Sequence, residues 1–288
     1  MKIEKDAMEM RAVYCDGLME LAAKDDRIVV CESDLMNANG TKRFLAAYPD
    51  RTFDVGIAEA NMIGVAAGLS AEGKIPFAHT FGVFMSRRVC DQIFISCAYA
   101  KQNVKLVGSD PGITAALNGG THMAFEDLGI MRTIPGMVVL NPADAVEARQ
   151  CVEAALRYEG PVYMRFGRFA VPVFNDPATY KFEFGKNVVL RDGKDVTIMA
   201  TGIMPDMALE AAKLLEAEGI SARVVNVHTI KPLDKENTLK NAAETGAIVT
   251  AEEHNIIGGL GSAVAEVVCE GRPCPVMRVG TEDVFGRS

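Results

Sequence analysis

Asp54–Ser70 reads DVGIAEANMIGVAAGLS. Thr52 to Val55 favours a strand, Gly56 supplies a turn, and Met62, Ile63, Val65 and Leu69 recur at helical spacing up to Gly73. The stretch predicts strand, tight turn and helix, the unit from which parallel sheets are built. Glu59 falls in the first helical turn, where the helix dipole stabilises a carboxylate while apolar neighbours favour its neutral form. No basic residue lies between Asp54 and Ser70 to neutralise it. A carboxyl held between those influences is a candidate general acid or base, and the same residue would equally serve to start the helix.

The same alternation extends in both directions. Towards the N-terminus, Met10, Val13, Tyr14, Leu18 and Leu21 predict a helix from Ala7 to Lys24, then a strand at 27–30 ending in the polar exit Cys31-Glu32-Ser33-Asp34. Thr41 is placed to cap a short helix ending before Pro49. Beyond the helix at 59–72 come strand 75–81, helix 84–101, strand 104–108, a long loop, strand 137–140, helix 143–158 and strand 161–166. Pro172 and Pro177 interrupt the pattern, so 169–186 reads as a linker. Strands at 196–200, 222–227, 247–251 and 275–279, interleaved with helices at 205–218, 234–245 and 260–270, then resume it. The expected fold is α/β with two domains, 1–168 and 187–288, each a mostly parallel sheet covered by helices. Ligands of such sheets bind at the carboxyl ends of the strands.

With 288 residues, 49% of them hydrophobic, the chain can bury a sizeable core. A net charge of -8 and the absence of a long Lys/Arg cluster argue against nucleic acid or an anionic membrane as partner. The charged start MKIEKDAMEM does not resemble a signal peptide, and no apolar run has the length of a membrane span. Seven cysteines sit mostly in apolar runs without metal-ligand spacing, as expected of small core residues in a reducing cytoplasm. No metal site is expected on this chain.

Four further features could carry chemistry. Phe81 and Phe84, in Thr80-Phe81-Gly82-Val83-Phe84, straddle a strand-to-helix junction and could either pack the core or line a pocket for a flat ring. The loop GSDPGITAALNGGTHMAF, 108–125, ends in Thr121-His122, placing an imidazole either at a substrate oxygen or at the start of the next helix. Arg11, on the first helix, and Arg168, after the strand VYMRF, could clamp a phosphate or carboxylate or form structural ion pairs. His254 precedes Gly258-Gly259-Leu260-Gly261 at a second strand exit, but GGLG lacks the spacing of a dinucleotide fingerprint, and no GxxxxGK[ST] loop exists.

Taken in order, DVGIAEAN, AHTFGVF, the loop ending NGGTH, IPGMVVLNPAD and AEEHNIIGGLGSAVAE resemble the transketolase family of thiamine-diphosphate enzymes over nearly the whole chain. The resemblance implies a pyrimidine-binding domain followed by the transketolase C-terminal domain. Glu59 matches the glutamate that hydrogen-bonds the aminopyrimidine ring and drives cofactor activation, and Phe81 and Phe84 match aromatics of the ring pocket. Arg87 stands where a pocket tyrosine is common. His122 matches a histidine contacting the ketose donor, Asn118 falls at a usual aspartate, and Ser109 or Asp110 falls near a usual histidine. Arg11 and Arg168 match arginines that bind the acceptor's phosphate, and Asp34-Leu35-Met36-Asn37 resembles a turn beside the site, from which Asn37 or Asn39 would reach substrate. The GDG motif of the diphosphate-binding domain is missing, since neither Asp16-Gly17 nor Asp192-Gly193 follows a glycine.

The implied protein is therefore the C-terminal subunit of a split transketolase, moving a two-carbon ketol unit between sugar phosphates. The resemblance implies a separate N-terminal subunit that holds most of the diphosphate and Mg2+, in an α2β2 assembly containing two copies of this chain. A beta subunit of a 2-oxo-acid dehydrogenase's decarboxylating component has the same length and domain order, but usually carries a histidine-rich loop where this chain offers only His122. A deoxyxylulose-phosphate-synthase-like reaction is a third reading, disfavoured by the split chain and the altered loop. A non-catalytic scaffold would not need an acid facing a ring pocket.

Overall fold

The computed structural model describes residues 4–5 and 9–287. The chain opens with a two-residue strand β1 (Glu4–Lys5), then α1 (Met10–Ala22), β2 (Ile28–Glu32), α2 (Met36–Asn39) and α3 (Lys42–Ala47). Next come β3 (Thr52–Asp54), α4 (Glu59–Ala71), β4 (Ile75–Phe81), the single-turn α5 (Cys90–Gln92) and β5 (Lys105–Ser109). The first domain closes with α6 (Asp127–Thr133), β6 (Val138–Leu140), α7 (Ala145–Arg157) and β7 (Val162–Phe166). After β8 (Pro172–Val173), the second contains β9 (Val188–Arg191), β10 (Val196–Ala200), α8 (Met204–Ala217), β11 (Ala222–Asn226) and β12 (Thr229–Lys231). It ends with α9 (Lys235–Thr245), β13 (Ile248–Asn255), α10 (Leu260–Gly271) and β14 (Val276–Thr281).

Two sheets organise these elements. The first has the order β12-β6-β7-β5-β4-β2-β3 and the second β14-β13-β10-β11-β9. Pairing is parallel throughout except at one edge of each, β12 on β6 and β9 on β11. Every residue of β2, β4, β5 and β7 is buried, as expected for parallel strands covered on both faces. Tyr14 and Leu18 of α1 join Cys151 and Val152 of α7 on one face. On the other, Met62, Ile63 and Ala66 of α4 join Met85, Val89 and Ile93, and that core runs on to Met199 and Val225 of the second sheet.

The expected helix over 84–101 is not a regular one. Phe84–Arg88 and Ile93–Tyr99 are π-helical, joined through α5, and the chain breaks at Val89 with φ -127° and ψ 20°. Wide turns of this kind concentrate at functional sites because they re-aim side chains. The helix expected from Ala7 runs from Met10, and its first expected residues lie outside the described ones. Thr41 precedes α3 but makes no capping bond; its hydroxyl donates to buried Glu32. The segment 169–186 contains β8, paired antiparallel with β1. β12 leaves the second domain and adds an antiparallel strand to the first sheet, Thr229 facing Leu140. The three-residue run Thr229–Lys231 is too short for its pattern to predict a strand.

Candidate active site

Glu59 is the first residue of α4 and is buried, 3% exposed. Its partner comes from elsewhere in the chain: Arg88 Nη1 donates to Glu59 Oε1 at 2.6 Å. The Arg88 guanidinium also lies 3.8 Å from the centre of the Phe84 ring. One cation thus ties the acid to the aromatic pocket. Nothing in the sequence singles out Arg88 over Arg87, because only the π-helical geometry decides which of the two turns inward.

Phe81 ends β4, Phe84 opens the π-helical segment, and His122 arrives from the loop after β5. Their rings form one cluster, with centroids 6.0 Å apart for Phe81 and Phe84, 5.9 Å for Phe81 and His122, and 5.3 Å for Phe84 and His122. His122 is half-buried and does not start the next helix; its Nδ1 meets the Thr121 hydroxyl at 3.0 Å. Val83, Phe84, Arg87, Arg88, Thr121 and His122 line a cleft of ≈ 520 Å³ that opens to solvent. Arg87 pairs with Glu126 at 2.7 Å and donates to the Thr121 carbonyl at 3.4 Å, so it braces the loop that carries His122. Asn118 ends the 3-10 segment Gly112–Asn118 and is half-buried.

From this cluster α2 leads to the two arginines. Leu35 and Ala38 pack on Phe81 and its neighbours, and the Ala38 carbonyl accepts from Arg11 Nη1 at 2.6 Å. Arg11 Nε donates to Glu9 at 2.6 Å. Arg168 follows β7 by two residues and lies 3.6 Å from Asp110, which follows the adjacent β5 by one. Parallel pairing of Ser109 with Phe166 places those two strand exits side by side. Asp110 is buried at φ 50°, and neither of its carboxylate oxygens has a hydrogen-bond donor among the described residues.

Asp34 and Asn37 are exposed at the turn beside this site, Asp34 at φ 61° with its N–H donating to Asp54 at 3.0 Å. Asn39, not Asn37, is the asparagine turned inward. Its amide donates to Glu32 at 3.0 Å and its oxygen accepts from the Ser109 hydroxyl at 2.8 Å. Burial pushes Glu32 up to about 8 and His79 down to about 4. Tyr14, hydrogen-bonded to His79 Nε2, closes this buried network beneath the strand ends. Glu32 and His79 carry a readable signal, a polar residue inside an otherwise apolar strand.

The second strand exit is built differently. Glu252 accepts from the N–H groups of Leu260 at 2.6 Å and Gly261 at 2.8 Å, so the GGLG turn brings a helix start to a protein carboxylate. A side chain at Gly259 would strike Glu252 at 1.9 Å. His254 is buried, accepting from the Gly129 N–H at 3.3 Å through Nε2, with Nδ1 2.7 Å from the Asn255 carbonyl. Beside it, fully buried Arg165 donates to Asp127 and to the Glu253 carbonyl. His254 therefore joins the domains.

Phe84 and His122 line the cleft and Arg88 ties the buried Glu59 carboxyl to it, a set of an aromatic surface and a nearby acid that suits the ring half of thiamine diphosphate. Among the described residues, no group of three or more His, Cys, Asp or Glu could hold a metal ion.

Residues 6–173 match the family described as Transketolase, pyrimidine binding domain, and residues 185–288 the family described as Transketolase, C-terminal domain. The 6-deoxy-6-sulfo-D-fructose transketolase subunit SqwH of Clostridium sp. (strain MSTE9) is 56% identical, over 96% of this chain and 86% of its own length. An apulose-4-phosphate transketolase subunit of Phocaeicola vulgatus is 38% identical, over 95% and 87% respectively. A solved structure described as a split gene transketolase, inactive beta4 tetramer, superposes with a TM-score of 0.91 at 50% identity, covering 98% of this chain and 92% of that one.

Proposed function

The chain belongs to the transketolase family, and we propose that it is the C-terminal subunit of a split enzyme and moves a two-carbon ketol unit between sugars that end in an anionic group. The observation that carries this is the buried Glu59 carboxyl beside the Phe81, Phe84 and His122 cluster. Thiamine diphosphate, when bound, supplies the carbanion that breaks and remakes the carbon–carbon bond. Glu59 holds the aminopyrimidine ring and manages its proton, with Arg88 holding the carboxyl in place until the ring arrives. Phe81 and Phe84 give the ring apolar faces and exclude water. His122 is placed to hydrogen-bond a donor sugar oxygen, with Asn118 on the same loop. Arg11 and Arg168 bind the anionic end of the sugar, where bidentate guanidinium groups suit such oxyanions. Asp34 and Asn37 flank the entrance.

The N-terminal partner subunit holds the diphosphate and Mg2+, so Glu59 acts across a subunit interface in an α2β2 assembly. Exposed Ile57, two residues before Glu59, is suited to burial against another chain. The seven free thiols suit a cytoplasmic site of action. No helix among the described residues is long and apolar enough to cross a membrane. Reconstitution tests this reading. Mixed with an N-terminal subunit, thiamine diphosphate and magnesium, the chain is expected to transfer two-carbon units, whereas transfer by this chain alone would overturn the split-site assignment.

A further inference from the structure

The arginine clamp is already neutralised. Arg11, with 17% of its side chain exposed, is paired with Glu9, and Arg168, with 32% exposed, faces Asp110. Asp110 lies within the field of all three others: burial and Glu9 raise its pKa while Arg168 and Arg11 lower it, leaving it at about 6. Two cations are thus set against two carboxylates, and the inner carboxylate is 1% exposed, with no hydrogen-bond donor to either oxygen among the described residues. A left-handed, non-glycine backbone at Asp110 shows that the surrounding structure enforces its position.

Charge compensation changes which anions such a clamp accepts. Attraction to the clamp grows in proportion to the ligand's charge, whereas the desolvation penalty of an ion grows with its square. A clamp of two free arginines can offset the penalty for a phosphate ester, which carries about -1.5 to -2 charges at pH 7. A clamp with no net charge favours an anion of charge -1, as every sulfonate is.

We propose that Asp110, seconded by Glu9, is the specificity-determining element of this site and selects sugars ending in a sulfonate over those ending in a phosphate. The inference rests on the reading of Arg11 and Arg168 as the anion clamp. It agrees in direction with the relatives: the one named for a sulfonated ketose is 56% identical to this chain over the aligned residues, and the one named for a phosphate ester 38%.

The test uses the reconstituted two-subunit enzyme with 6-deoxy-6-sulfo-D-fructose and fructose 6-phosphate as donors. Wild type is expected to favour the sulfonate in kcat/KM by at least about tenfold, a difference of about 1.4 kcal/mol in transition-state binding. Asp110→Asn, which tolerates the left-handed backbone, is expected to narrow that ratio about tenfold, chiefly through KM for the phosphate ester. Glu9→Gln, at the partly exposed position, is expected to narrow it less and in the same direction, and provides the measurement if the Asp110 variant fails to fold. A wild-type preference for phosphate, or ratios unmoved by both substitutions, overturns the proposal. Arg168→Ala separates the two levels: a raised KM for both donors alongside unmoved ratios leaves the clamp standing and removes only the selectivity, whereas an unchanged KM for both removes the clamp and the selectivity with it.

Discussion

At the carboxyl edge of the first sheet, Asp110 is buried with neither oxygen hydrogen-bonded among the described residues, and Glu59 draws its partner from a π-helical turn. At the carboxyl edge of the second, Glu252 and His254 are equally buried, yet the start of α10 and the Gly129 N–H satisfy them. The two edges share a topology and differ in what meets their polar residues. Left-handed non-glycine backbone follows the same division: among the described residues it occurs at Asp34, Lys101, Asp110 and Ala116, all in the first domain. Strain at Asp34 and Asp110 marks the edge proposed to bind ligands, while donors from distant segments meet Glu252 and His254 at the edge that became a domain contact.

Four substitutions would break or sharpen that contrast. Glu59→Gln removes the proton-handling group of the open edge, and two-carbon transfer by the reconstituted enzyme is expected to fall about 10²–10⁴-fold, with the urea midpoint of the isolated chain little changed. At the satisfied edge the effect should appear as stability instead. Asp127→Asn leaves buried Arg165 without its carboxylate, and urea unfolding is expected to show a loss of about 3–5 kcal/mol.

Glu253 tests the same edge through pH. Burial raises its pKa to about 7 despite nearby Arg165. Because the folded state holds the proton more tightly than the unfolded one, its contribution is fully present below the ordinary glutamate range and is lost as pH rises to about 7. Glu253→Gln should therefore flatten part of the pH dependence, becoming more stable than wild type at pH 8 by roughly 1–3 kcal/mol and losing that advantage near pH 5. Thermal melts at the two pH values measure it, and an advantage that grows towards pH 5 would contradict the sign. Smallest is Arg87→Ala, which removes a largely exposed pair with Glu126. It is expected to cost under about 1 kcal/mol and to change turnover a few-fold through the loop carrying His122.

Much of this was legible in the chain itself. Alternating apolar strands and amphipathic helices specify a buried parallel sheet, and the ordered motifs around Glu59, Phe81, Phe84 and His122 point to a ring pocket beside an acid. What was not legible has a common cause. β12 is three residues long and gains its strand identity only by pairing with β6 in the other domain. The helix expected over 84–101 has a helical apolar pattern throughout, and only packing against α4 and α6 divides it into π-helical turns. Arg88 and Arg87 are equivalent in composition, and the break at Val89 lies just beyond them.

Local pattern thus determined the element types, the two-sheet plan and the residues at each strand exit, because hydrophobic periodicity and turn chemistry act over a few neighbouring residues. Which exits stay open was decided only by tertiary structure. A buried carboxylate is a ligand site or a structural tie according to whether a donor from a distant segment reaches it. Asp110 and Glu252 show the difference: among the described residues no distant N–H arrives at the first, and the start of α10 arrives at the second.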